Sequence, residues 1–217
     1  MSTGFFCKII KRISILCVCV VIAFVGAYAI NLSKCEYLTL ESNCYFLCVD
    51  EGGAEACATQ VAIDGGAGYL WKEKVVLGAY FSEQEVVAVA RKVKEKYPSV
   101  VIEKLYSDEV LLPLETKERA KSMLGNLHNH ISALADVARD LEEGLSQEKA
   151  KSRLRAIYTG FTSLAKVYPL KRVQELCDIA KGWIQSKTQG VIFANELRYC
   201  VCELAVAFHK VVKGESL

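Results

Sequence analysis

Proline is scarce in this chain. There are 3 among 217 residues and no low-complexity tract, which excludes a long disordered linker. Net charge is nearly absent too. The 27 Lys and Arg are balanced by 25 Asp and Glu, a formal +2, so the basic footprint of a nucleic-acid partner is missing. The ten cysteines include no C-x-x-C pair, which excludes a zinc ribbon or a thioredoxin-type motif. No Ser-His-Asp order, phosphate-cradling glycine loop or metal-ligand spacing is present. Those absences point away from an enzyme and imply no catalytic residue, metal or cofactor.

Hydrophobic residues are plentiful, at 52% of the chain with a mean hydropathy of +0.21. Much of that excess lies near the start. Residues 1–12 carry Lys8, Lys11 and Arg12, and an uncharged apolar run follows over residues 13–30. Its length suits one bilayer-spanning helix. The basic cluster before it predicts an N-terminus in the cytoplasm and the remainder outside. Ala27-Tyr-Ala29 also has the form of a signal-peptide cleavage site, so residues 13–30 are either a transmembrane anchor or a signal peptide. Residues 31–43 read as a short tether. An exported location would permit disulfides among Cys35, Cys44, Cys48 and Cys57.

Residues 45–105 repeat one unit twice. Residues 45–50 alternate as a strand and lead into a helical run over 54–63; residues 74–80 lead into a second run over 82–97. Each copy ends in a short apolar segment, at 67–71 and 99–105, giving β-α-β-β-α-β. Leu47 and Val49 fall on one face of the first strand, with Phe46 and Cys48 on the other. Ser82-Glu-Gln-Glu85 is a capping box, and Tyr97-Pro98 stops the second helix.

The stretch Val75-Val-Leu-Gly-Ala-Tyr-Phe-Ser-Glu-Gln-Glu85, with Phe46-Leu-Cys-Val-Asp50 and Ala54-Glu-Ala56 as its weaker first copy, resembles the SPOR (sporulation-related repeat) domain family over residues 45–105. The resemblance implies a ferredoxin-like βαββαβ fold that binds peptidoglycan glycan strands lacking stem peptides, in bacterial cell division or sporulation. It also implies contacts from the sheet face away from the helices. Cys48 stands where the family often has glutamine, and Asp50-Glu51 replaces a Gly-x pair. The expected glycan-binding residues are Phe46, Cys48, Tyr69, Trp71, Val76 and Tyr80, with Lys72 and Lys74 nearby. The alternative is an envelope structural or protein-interaction protein whose SPOR-like fold has lost glycan binding.

After Pro113 the period changes to that of helices. Residues 115–217 carry four apolar stripes. Leu124, Leu127, Ile131, Leu134 and Ala138 lie on the first. Ala150, Leu154, Ile157, Phe161 and Leu164 lie on the second. The third has Val173, Leu176, Ala180 and Ile184, and the fourth Leu197, Val201, Leu204 and Phe208. Short connections predict an antiparallel four-helix bundle, a surface for a protein partner. His128, His130 and the charges Lys117, Glu118, Arg119, Arg139, Asp140, Glu142 and Glu143 are expected to face solvent. The fold class is therefore α+β: a membrane-anchoring helix, a SPOR-type domain and a helical bundle, outside the cell membrane.

Overall fold

The computed structural model describes residues 35–39, 43–50, 53–106, 109–113, 117–213 and 217. The expected anchor at 13–30 lies outside them. No helix among the described residues is long and apolar enough to cross a membrane. The chain divides into two compact units, residues 1–38 with 111–118 and residues 39–110 with 119–217. Strands β1 (Cys35–Thr39) and β6 (Glu109–Pro113) pair as a separate two-stranded sheet, mostly in the first unit.

The second unit is α+β. Strands β2 (Cys44–Val49), β3 (Tyr69–Trp71), β4 (Lys74–Tyr80) and β5 (Val100–Tyr106) form an antiparallel sheet in the order β3-β4-β2-β5. Helix α1 (Ala54–Ile63) joins β2 to β3, and α2 (Glu83–Val93) joins β4 to β5. One sheet face packs on these helices. Its core is Tyr45, Leu47, Val49, Val75 and Leu77 from the sheet, with Val61, Val86 and Tyr97. That is the alternation expected of Leu47 and Val49, which buries one side of each strand.

Local chemistry fixes the helix ends. Gly66 N–H donates to the Val61 carbonyl at 2.8 Å, closing α1 beside Gly65 at φ +91°. Ser82 Oγ accepts from Glu85 N–H and starts α2. Helix α2 ends at Val93, four residues before Tyr97, and a tighter turn covers the interval.

Four longer helices follow: α3 (Lys117–Glu142), α4 (Gln147–Val167), α5 (Lys171–Thr188) and α6 (Ala194–Lys213). Their expected stripes are buried, including Leu127, Leu154, Phe161, Leu176 and Leu204. Helix α4 packs along α5, and α5 along α6. Gln147 ties the start of α4 to the α5–α6 loop, donating to the Ile192 carbonyl and accepting from Ile192 N–H.

Helix α6 departs from the expected one-sided stripe. Leu197, Cys200, Val201, Cys202, Leu204, Ala205, Ala207 and Phe208 are all buried, so it is enclosed on nearly every side. A helix apolar all round belongs in an interior. It lies against β4, β3 and β5 as well as α5. The SPOR-like stretch and the helical stretch, expected as separate domains, thus share one compact unit.

Candidate functional site: the second face of the sheet

The second face of the sheet was expected to be open to a glycan. Instead α6 crosses it. A stripe on α6 at helical spacing makes the contact. Asn195 Nδ2 donates to the Ala62 carbonyl at 3.0 Å, Arg198 donates to the Gly65 carbonyl at 2.7 Å, and the Tyr199 ring stands 5.2 Å from that of Tyr69. Cys202 and Ala205 continue the stripe with no exposed surface.

The six expected contact residues therefore have different fates. Phe46, Cys48 and Val76 are 0% exposed, so no ligand reaches them in this arrangement. Apolar side chains on a sheet face gain by excluding water, and the small residues of α6 let a helix do it. Tyr69 and Trp71 keep partial exposure at the β3 edge. Trp71 meets Phe46 edge-on at 5.3 Å, and Lys72 lies over its ring.

Tyr80 is on the wrong face for the expectation. Plain alternation from Val76 would put both on the α6 side. A bulge intervenes: Cys48 pairs with Val76, but Leu47 pairs with Gly78, leaving Leu77 extra. Tyr80 then opposes Tyr45 and packs on the helix-side core. Gly78 allows this, because its missing Cβ would stand 3.3 Å from the Tyr80 hydroxyl. A glycine inside a strand signals such a bulge, and that sign is present in the sequence.

The electrostatics of the covered face are those of an interior. Burial, then Glu103, pushes the Cys48 thiol up to about 12, which leaves it unreactive. Lys74 bridges to Glu103 at the margin, with both side chains partly exposed.

No protein-family model, curated protein or solved structure matches this chain. Its chemistry must be read from its own residues.

A second feature is a cleft of about 590 Å³ between α2, β4, α3 and α6. Tyr80, Lys92, Arg139 and Arg198 are among its lining residues. Its cations are largely matched. Arg139 reaches Glu85 at 3.0 Å and Asp136 at 2.5 Å, and Arg198 forms a two-pronged pair with Glu142. Arg139, Asp140 and Glu142, expected on a solvated face, instead tie α3 to its neighbours, Asp140 through Arg153. Sequence reasoning missed Asn195, Arg198, Tyr199 and Cys202. Their signal was a second periodic stripe on α6, offset from Leu197, Val201 and Leu204.

The histidines also differ from expectation. His128 lies 5.1 Å from the Phe81 ring and 6.2 Å from Phe208, and His130 lies 5.3 Å from Phe161. Among the described residues no group of three or more His, Cys, Asp or Glu could hold a metal ion. Burial lowers the pKa of both imidazoles below the ordinary 6.5. The unfolded chain then takes up protons first as pH falls, so acid favours unfolding. The urea midpoint should drop between pH 7 and pH 5, and His128→Phe should flatten part of that drop. A midpoint independent of pH over this range would show that neither ring is held neutral.

Proposed function

We propose that this chain is a membrane-tethered, non-enzymatic interaction protein of the bacterial envelope, with a SPOR-like sheet occupied by its own last helix. The reading rests on one observation: Cys44, Phe46, Cys48 and Val76, the centre of the second face, have no solvent exposure. The βαββαβ element order and the strand order support a ferredoxin-like, SPOR-type ancestry for residues 45–105. The departures at Cys48 and Asp50-Glu51 agree with a face that no longer needs sugar-binding polar groups. An apolar thiol packs under a helix where an amide would need hydrogen-bond partners.

On this reading residues 13–30 anchor the chain in the cell membrane, with residues 1–12 in the cytoplasm and the rest outside. Residues 115–217 form an antiparallel bundle that serves two purposes. Helix α6 seals the sheet, and the outer helices present a surface to a protein partner. Capture of denuded glycan, the other function implied by the resemblance, would require α6 to leave.

Co-sedimentation with amidase-treated sacculi tests this. The detergent-solubilised full chain is expected to stay in the supernatant. Co-sedimentation that Trp71→Ala abolishes would overturn the proposal and return sugar binding to the β3 edge.

A further inference from the structure

Four buried thiols gather where α6 lies on the sheet. Cys44 and Cys48 come from β2, Cys200 and Cys202 from α6, and none is more than 1% exposed. All four are present as thiols. Cys44, Phe46 and Cys48 alternate onto the α6 side of β2, because Leu47 and Val49 belong to the opposite core. Cys202 belongs to the α6 stripe that carries Asn195, Arg198 and Tyr199 onto the sheet unit.

Geometry removes the other pairings among the described cysteines. Cys44 and Cys48 are four residues apart on one strand, roughly 13 Å at strand rise. A disulfide spans Cα atoms no more than about 7 Å apart. Cys57 is on α1 and packs against the core on the opposite sheet face. Cys200 is two residues from Cys202 on one helix and points elsewhere. Its nearest charged neighbours, Glu203 and Lys187, lie on the α5 side. The expected set of Cys44, Cys48 and Cys57 thus has no internal partner, and Cys202 is the thiol brought to β2. Burial, followed by the nearby Cys44 and Cys48, raises its pKa well above the ordinary thiol value.

The geometry points to a redox staple: Cys202 forms a disulfide with a β2 cysteine, Cys44 or Cys48, and locks α6 onto the sheet. The oxidant is a low-molecular-weight disulfide, R–S–S–R. A β2 thiolate attacks it, forming a mixed disulfide and releasing R–S⁻. The Cys202 thiolate then displaces the second R–S⁻ and closes the protein disulfide. Two electrons pass to the reagent, and the two thiol protons end on two R–SH. Buried thiols with raised pKa values do not start this reaction. It proceeds when α6 lifts locally, which exposes both sulfurs and restores their ordinary acidity.

The full chain in detergent is incubated with oxidised glutathione, in urea below the unfolding midpoint. Non-reducing peptide mapping with fragment sequencing should find Cys202 joined to Cys44 or Cys48, and Cys202→Ala should abolish that link. The cross-linked form should unfold roughly ten-fold or more slowly, since the bond closes a long loop. The inference is overturned if Cys202 stays unlinked while hydrogen exchange shows α6 opening, or if the oxidised thiols map to other pairs. Should Cys202→Ala fail to fold, the wild-type map alone decides. Glycan binding and this bond are read separately, so either can fail without the other.

Discussion

Phe46→Ala is expected to remove about 3–5 kcal/mol of folding stability, measured by urea denaturation. Phe46 is among the largest side chains with no exposure, and it stands between the Trp71 ring and the interior. Removing its ring leaves a cavity that β2 and β4 cannot close, since both strands are fixed by their ladders. On an open binding face the same change would cost within about 0.5 kcal/mol, the range for surface substitutions. The two arrangements therefore differ by several kcal/mol at one residue. Trp71 supplies a second reading: its fluorescence should shift to the red once its edge-on neighbour is gone. A small stability loss with unchanged emission would show that α6 does not cover the sheet.

The second large effect is expected at Gly68. This residue sits at φ +62°, and a Cβ there would stand 2.5 Å from the Ala58 carbonyl oxygen. Neither obstacle is a side-chain tip that can move aside. Gly68→Ala should cost about 2–4 kcal/mol, from the left-handed backbone and from displaced helix backbone. The damage should spread. The loop from α1 to β3 also offers the Gly65 carbonyl to Arg198, and α1 offers the Ala62 carbonyl to Asn195. Hydrogen exchange in the first turns of α6 should therefore speed up more than exchange in α5. A loss below about 0.5 kcal/mol would mean that the loop holds no such strain.

Much of this architecture was legible in the residues. The alternation of Leu47 and Val49, the glycines after Asp64 and the cap at Ser82 each specify their element locally. The four helical stripes did the same, because a period of 3.6 needs no knowledge of the partner. What could not be read locally was the partner itself. Phe46 and Cys48 alternate correctly in either arrangement, and only a distant helix decides whether they meet water. The stripe of Asn195, Arg198, Tyr199 and Cys202 carried that information. It mixes polar and apolar groups, and its polar members bond to backbone carbonyls of α1 and its loop rather than to solvent. Tyr80 was misplaced for another reason: one extra residue in β4 reverses the parity of everything beyond it.

Because α6 is the last helix of the chain, the apolar underside of the sheet waits for its lid until synthesis is nearly complete. During that interval a water-averse strip including Phe46 and Val76 stands bare, close to the moment when β-rich intermediates are most prone to stick to one another. Contacts between such distant parts of a chain also close slowly, since a long loop must be gathered first. Shortened translation products ending before residue 194 should therefore be the aggregating species, and a helper that shields emerging chains would matter most for them.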